Sequence, residues 1–392
     1  MIKIPEKQLY ILDTLTEHGF EAYIVGGCVR DYLLGLTPHD FDVTTNALPE
    51  DVIEIFEKTV PTGIKHGTIT VIADGEPIEV TTFRTESGYS DSRHPDKTEF
   101  VTDIKFDLSR RDFTVNAMAY NEQSGLIDLF GGKEDLKNRI LRAVGDPEKR
   151  FSEDALRILR LFRFAAQLDF SIEEKTLRDA LNLSQNLCKI SSERIFSELY
   201  KSVSGKNSKA MIPLIENGGL GFLNITRLPD FEVIADCRTK PNLAFFAFLY
   251  YSCEDLCGTL EKLKVSNSLK IYCLTLERLM NSERPKNSAD IKELLHLSSA
   301  EIFGDFLLLL ADTIEAESLK AELDRISESG EAYDISHLKI NGKDLMDLGL
   351  CGTDIGDALE ILRKYVILNP DKNNKNDLTE YAKSVILNHE RL

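Results

Sequence analysis

Apolar residues at three-residue steps (Leu9, Leu12, Leu15) predict a short helix near the start of the chain. A four-residue apolar run, Ala22 to Val25, reads as a strand; Gly26-Gly27 breaks it, and Val29 to Leu34 reads as a helix. Phe41 to Val43 is extended. Thr68 to Ala73 and Pro77 to Phe83 alternate on either side of Asp74-Gly75, which predicts a hairpin. Thr114 to Tyr120 and Leu126 to Phe130 form a second such pair around Ser124-Gly125. Beyond about residue 139 the period changes. Ala155, Leu156, Leu159, Phe162 and Ala166, then Ile195, Leu199 and Val203, follow the helical spacing, and helices are expected to the C-terminus. Strands first and helices afterwards predict a small α/β head on a long helical body. Asn369 to Asn376, with Pro370 inside it, reads as a loop. Leu243 to Tyr251 and Phe306 to Ala311 are the longest apolar runs, well short of the roughly 20 residues of a membrane span, so no membrane association is expected. The aromatic run Phe245, Phe246, Phe248, Tyr250, Tyr251 is continuous rather than interleaved with Lys or Arg, and reads as core.

Composition adds boundaries. A chain of 392 residues is too long for one ordinary domain, and 42% apolar with 29% charged residues is globular. The net charge of −18, from 47 basic and 65 acidic residues, excludes a uniformly basic nucleic-acid binder but leaves room for a local patch. Basic density is local at Arg139, Arg142, Lys149, Arg150, Arg157, Arg160 and Arg163, against Asp146, Glu148, Glu153 and Asp154. If such a strip binds RNA, binding should depend markedly on salt. Seven scattered cysteines without a CxxC pair argue against structural zinc and a disulfide framework, and Cys253 and Cys257 read as core thiols. The charged N-terminus lacks a signal-peptide core, so a cytoplasmic, reduced setting is expected.

Two patterns carry chemistry. In Tyr23 to Gly35 a strand ends at Gly26-Gly27 and a helix follows; the glycines permit close backbone approach and the helix start favours an anion, with Arg30 positioned to reach a phosphate or to pair with Asp31. In His39-Asp40-Phe41-Asp42-Val43, strand alternation puts Asp40 and Asp42 on one face. Paired carboxylates suit Mg²⁺, which prefers oxygen ligands and retains water and phosphate in its shell. Glu79, in Ile78-Glu79-Val80, is a weaker third carboxylate, equally readable as an exposed strand residue.

Gly26-Gly27-Cys28-Val29-Arg30-Asp31 followed by Asp40-Phe41-Asp42 resembles the nucleotidyltransferase signature of the polymerase-beta superfamily, and more closely that of class II tRNA nucleotidyltransferases, the bacterial CCA-adding enzymes and their poly(A) polymerase relatives. The likeness continues in order. Arg110 to Ala117 resembles the ribose-recognition motif, Asp128 to Gly132 the hinge, Glu153-Asp154-Ala155-Leu156-Arg157 the base-reading motif, and Ser192-Glu193-Arg194-Ile195 the motif closing the neck helices. These motifs span about residues 20 to 205; beyond them only Ile340 to Leu345 resembles a tail motif.

The resemblance implies a polymerase-beta-like α+β head at 1–138, with an all-α neck at 139–205, body at 206–330 and tRNA-binding tail at 331–392. It implies attack of an RNA 3′-hydroxyl on the α-phosphate of a nucleoside triphosphate, with Asp40 and Asp42 as catalytic metal ligands and Mg²⁺ as cofactor. Gly27, Arg30 and Arg111 would hold the triphosphate, Asp112 and Asn116 belong to the ribose motif, and Asp154, Arg157, Arg160 and Arg163 surround the base and nucleotide. On a helix Asp154 and Arg157 would share a face. A carboxylate accepts from an exocyclic amine and an arginine donates to a ring nitrogen; cytosine and adenine present that pair, uracil and guanine its reverse. The implied partners are the tRNA 3′ end with ATP and CTP, and a homodimer is left open.

Within the family, the polar segment Arg84 to Phe100, read as a full-length loop, favours complete CCA addition over CC addition. Gly63 to Thr68 and Val80 to Arg84 favour it over poly(A) synthesis. Leu168-Asp169-Phe170 departs from the usual Leu-Gly-Phe turn. CC-adding, A-adding and poly(A)-synthesising relatives stay as alternatives, with a non-catalytic RNA-binding relative from a different class. Intact Asp40 and Asp42 argue against the last.

Overall fold

The computed structural model describes residues 2–38, 40–87, 97–310 and 314–389. His39, Ala311 and the centre of the Arg84–Phe100 segment lie outside the described residues. The chain forms two compact units, 1–264 and 265–392.

The first unit opens with α1 (Glu6–Glu17), which buries Ile11, Leu12 and Leu15. Next come β1 (Ala22–Val25), α2 (Gly27–Leu33), β2 (Asp42–Thr45), α3 (Pro49–Ile55), β3 (Thr59–Gly63), β4 (Thr68–Ala73) and β5 (Glu76–Thr82). After these follow β6 (Arg84–Ser87), β7 (Lys97–Phe100), α4 (Ile104–Ser109), β8 (Met118–Asn121), β9 (Gly125–Asp128) and α5 (Gly132–Asn138). The sheet order is β3-β4-β5-β2-β1-β8-β9, and the β2–β5 pair is parallel while its other pairs are antiparallel. The β4–β5 hairpin turns at Asp74 and Gly75, with φ of 49° and 81°, the left-handed pair that a two-residue hairpin loop needs. One core of this head gathers Tyr23, Val25, Phe83, Ile104, Leu108 and Ala119.

Several expectations are corrected. The strand at 41–43 begins only at Asp42, leaving Asp40 and Phe41 ahead of the ladder. Thr114–Asn116 is a 3₁₀ turn rather than strand, because Asn116 bonds back, Nδ2 to Asp112 Oδ1 at 3.0 Å, and Thr114 Oγ1 donates to Asp135 at 2.7 Å. β9 stops at Asp128, whose carboxylate accepts from the Gly132 and Lys133 amides and so turns the chain into α5. The Arg84–Phe100 segment is not all loop: its ends, β6 and β7, pair with one another. Both strands are polar, with Arg84 paired to Glu86 and Lys97 to Glu99, so no apolar alternation betrays them.

The helical part of the unit starts with β10 (Ile140–Leu141), α6 (Pro147–Glu153), α7 (Leu156–Leu168), β11 (Ser171–Ile172), α8 (Glu174–Asn182) and α9 (Ser192–Val203). It ends with α10 (Ile212–Glu216), α11 (Phe231–Asp236), α12 (Pro241–Ser252) and α13 (Leu256–Lys262). Residues 140–141 and 171–172 make a short parallel pair that the fading strand signal concealed. α7 closes at Asp169, φ 57°, where the family's glycine is usual. Asp tolerates this left-handed position, and Asn207 Nδ2 bonds its carboxylate at 2.8 Å. α12 buries Phe245, Phe246 and Phe248 of the aromatic run, with Tyr250 and Tyr251 half-buried; Phe245 packs edge-on to Phe196, with centroids 5.4 Å apart. Cys253 is a core thiol, whereas Cys257 is half-buried.

Gly205, just past α9, lets the chain cross α7: a Cβ there would lie 2.7 Å from the carbonyl carbon of Ala166. Gly205→Ala is therefore expected to destabilise the protein by about 1–3 kcal/mol, read as a lowered denaturation midpoint.

The second unit is helical: α14 (Asn267–Asn281), α15 (Ser288–Ser298), α16 (Ala300–Leu309), α17 (Ile314–Ser329), α18 (Gly342–Asp347), α19 (Thr353–Leu368) and α20 (Lys375–His389). The Asn369–Asn376 stretch holds a single 3₁₀ turn, Pro370–Lys372, and α20 starts inside it. The tail motif is a helix start. Asn341 Oδ1 accepts from the Lys343 and Asp344 amides, Asp344 returns a bond to the Asn341 amide, and Ile340 and Leu345 enter the core. Among the described residues no helix is long and apolar enough to cross a membrane.

Candidate active site

The site is built from the end of β1. Val25 is the register partner of Asp42, so the first residue of β2 stands beside the turn that follows β1. Gly26 occupies φ 81°, ψ −126°, and a Cβ on it would lie 2.9 Å from Arg111 Nη1. Only glycine admits both the conformation and the approaching guanidinium. Asp40 precedes the strand and is exposed. Asp42 opens to solvent, yet the protein packed around it and the neighbouring Asp40 raise its pKa, while Arg111 pulls it down. Glu79 is exposed on β5; Val43 pairs with Val80, so Glu79 projects from the same face as Asp42 one strand away. Among the described residues no three His, Cys, Asp or Glu side chains gather closely enough to hold an ion. What the chain offers a cation is a two-carboxylate oxygen set under mutual repulsion, a donor set suited to Mg²⁺ when substrate phosphate completes the shell.

Arg30, on α2, is buried. Its Nη1 donates to Asn116 Oδ1 at 2.6 Å and its Nε to Asp31 at 2.8 Å, so the pairing with Asp31 occurs in a largely buried setting. Gly27 lies directly below, with its Cβ position 3.5 Å from Arg30 Nη2. Asp112 is buried and fully engaged: Oδ2 accepts Nε and Nη2 of Arg160 at 2.9 and 2.6 Å, and Oδ1 accepts from the Phe113 amide and Asn116. Burial alone would raise its pKa, but Arg160 and Asn116 hold the carboxyl well below the usual range.

The Asp154–Arg157 expectation needs correction. Asp154 is not on a helix with Arg157; it sits extended, φ −138°, in the break between α6 and α7. Its Oδ1 accepts the Leu156 amide at 2.9 Å and its Oδ2 accepts Arg194 at 2.8 Å. Arg157 is held elsewhere, Nη1 on Glu153 at 2.8 Å and Nη2 on the Arg110 carbonyl at 2.9 Å. The cause is local: the Asp154 carboxylate bonds the Leu156 amide two residues on, a turn that holds it extended ahead of α7 rather than on its face.

Sequence reasoning missed Phe164. The guanidinium carbons of Arg30, Arg160 and Arg163 lie 5.0, 5.4 and 3.9 Å from its ring centroid. Three guanidiniums share one ring, each also paired with a carboxylate: Arg30 with Asp31, Arg160 with Asp112 and Arg163 with Glu198. Glu198, ion-paired with Arg163 at 2.6 Å, was also missed. Burial lowers the pKa of Arg163 to about 10 despite Glu198. The available signal was the i,i+4 spacing of Arg160 to Phe164 and of Arg194 to Glu198.

Residues 22–142 match the family model described as the poly A polymerase head domain, and 169–221 that described as the probable RNA and SrmB-binding site of polymerase A. The chain is 40% identical, over 95% of its own length and 95% of the other's, to a CCA-adding enzyme of Lactococcus lactis subsp. cremoris. It belongs to the CCA-adding enzyme family. Like the other CCA-adding enzymes it is a nucleotidyltransferase with a polymerase-beta-like head followed by helical regions. Its fold is similar to the Bacillus stearothermophilus CCA-adding enzyme solved in complex with CTP, with a TM-score of 0.82 and 30% identity over 100% of both chains. It is also similar to the Thermotoga maritima CCA-adding enzyme complexed with tRNA, with a TM-score of 0.69 and 25% identity over 98% of this chain and 96% of that one.

Proposed function

We propose that the chain completes tRNA 3′ ends, adding C, C and A from CTP and ATP without a nucleic-acid template. The observation that carries the reading is the register of Asp42 beside the Gly26-Gly27 turn, with Arg111 against both. The relatives solved with CTP and with tRNA support the substrates.

The 3′-hydroxyl oxygen of the RNA forms a bond to the α-phosphorus, and the bond to the β-phosphate oxygen breaks as pyrophosphate leaves. Asp40 and Asp42 would hold Mg²⁺, with Glu79 as a weaker third ligand, and the ion pair would favour the deprotonated hydroxyl and offset charge on the leaving group. Gly27, Arg30 and Arg111 hold the triphosphate. Asp112 and Asn116 serve the ribose end of the site by fixing Arg160 and Arg30. Asp154 and Arg157 read the base edge from separate supports. Each Asp154 oxygen accepts one protein donor and keeps acceptor capacity for an exocyclic amine. Arg160 and Arg163 line the cleft beside them. We keep the division of labour into head (1–138), neck (139–205), body (206–330) and tail (331–392); confinement of the seven-stranded sheet to the head supports it, and the break between the compact units falls inside the body.

The test is incorporation on tRNA lacking its 3′ end with Mg²⁺ and CTP, ATP or both. Two C residues from CTP and CCA from both are expected. Stopping at CC, adding A only to a CC end, or extending into poly(A) would each select a partial or polymerising relative. Phe164→Leu is expected to raise the KM for both nucleotides about tenfold, the worth of cation–ring contacts of about 1–2 kcal/mol, with the products unchanged in sequence.

A further inference from the structure

We infer that Asp107 is a positioning residue that aims Arg111 at the triphosphate, an inference that rests on the proposed role of Arg111. Asp107 lies on α4, outside every motif recognised in the chain, three and four residues before Arg110 and Arg111. Its side chain is fully buried, 0% exposed. A buried carboxylate is costly unless its charge is answered, and here cations answer it from two sides. Oδ1 accepts Nε and Nη2 of Arg110 at 3.0 and 2.7 Å, and Oδ2 accepts Nη2 of Arg111 at 3.4 Å. Burial opposes ionisation, but Arg110 and Arg111, with Arg84, keep the group charged.

The two arginines are held differently. Arg110 is clamped, since Glu86, itself paired with Arg84, takes its Nη1 at 3.2 Å. Its carbonyl also receives Arg157. Arg110 is thus the fixed side of the cluster. Among the described residues the Arg111 guanidinium makes one long hydrogen bond, to Asp107, its Nε is buried without a hydrogen-bond partner, and its Nη1 lies at the Gly26 turn. One oxygen of Asp107 is anchored through Arg110, while the other restrains Arg111 through a single Nη2 donor and leaves Nη1 at the Gly26 turn. A guanidinium restrained in direction by one donor, with another left for the ligand, is what a triphosphate needs, because the ordering entropy of a long side chain is met before the ligand arrives.

The test is a double-mutant cycle between Asp107→Asn and Arg111→Ala. KM and kcat are measured for CTP on tRNA lacking its 3′ end and for ATP on tRNA ending in CC. Asp107→Asn is expected to raise both nucleotide KM values roughly ten- to hundredfold, the range of a hydrogen bond to a charged group, with kcat and the tRNA KM changed much less. On the Arg111→Ala background the same substitution is expected to add nothing. A purely structural role would lower the melting temperature and leave the two effects multiplicative. Multiplicative effects, or no rise in nucleotide KM, would overturn the inference. If Asp107→Asn does not fold, Asp107→Ser, which leaves room for water between the arginines, carries the same cycle with the same two outcomes. Absence of incorporation by the unaltered protein would instead remove the functional reading on which the cycle depends.

Discussion

Asp42→Ala is expected to abolish incorporation of both C and A while leaving the protein folded and its melting temperature no lower. The first half follows from the donor set. Asp42 is the carboxylate that the β1–β2 register sets beside the phosphate turn, with Asp40 two residues ahead of it. Loss of one removes the means of holding a cation, worth several kcal/mol of transition-state stabilisation, on the order of 10³-fold in rate. The second half follows from the sign of the pKa shift. The Asp42 carboxyl is raised by burial and by Asp40, against Arg111. A group that binds its proton more readily in the folded state than in the unfolded one destabilises the fold once ionised, at every pH above the unfolded value. Removing it relieves that cost at neutral pH. The remainder of β2 is packed by Val43, Thr44 and Thr45 and needs no help from the carboxylate. Parallel incorporation assays, tRNA binding and thermal melts check this. Incorporation within tenfold of the unaltered protein would remove Asp42 from the chemistry.

Asp154→Ala is expected to collapse the preference for CTP and ATP over UTP and GTP. A site built to accept from an exocyclic amine rejects a base lacking it because the carboxylate's remaining lone pairs then face a carbonyl oxygen, a mismatch worth about 10⁴-fold. With the carboxylate gone, no lone pairs remain to face that oxygen, and the wrong bases lose their penalty while the right ones lose their bond. Discrimination is therefore expected to fall by about 10²-fold or more, with CTP use also slowed. The break between α6 and α7 loses the hydrogen bond to the Leu156 amide, at a cost of about 1 kcal/mol. Arg194 loses its carboxylate partner as well. Separate incorporation assays with each of the four triphosphates read the outcome. Unchanged rejection of UTP and GTP would place base reading elsewhere.

Much of this was legible because burial imposes a period. β1, β4 and β5 alternate or run apolar, since each has a face or both faces in the core. The same rule explains the failures. β3 is an edge strand with exposed positions along it, and β6 and β7 are polar on both faces, so none leaves a hydrophobic pattern. Asn116 and Thr114 looked like strand residues because propensity does not register a side chain bonded back to Asp112 or across to Asp135. At the site the spacing of Asp40, Asp42 and Arg111 was readable, but partners were not. Asp154 was paired in sequence with Arg157, whereas the fold brings it Arg194 from 40 residues on. Phe164 looked like one more apolar residue of α7 until three arginines met over its ring.

The strand order has a consequence for how the head is made. β1 and β2 pair across a connection that holds α2, and β4 and β5 close across a two-residue turn, so both antiparallel pairs can form as the chain emerges from the ribosome. The other edge of β1 is covered only by β8, through Ile24 with Tyr120 and Val25 with Ala119. Until that distant stretch has been synthesised, the central strand of the catalytic face presents bare amides and carbonyls, an invitation to pairing with another chain. A nascent head stalled short of Tyr120 would therefore be the aggregation-prone species of this protein, and a chaperone that shields strand edges would act on it in that interval.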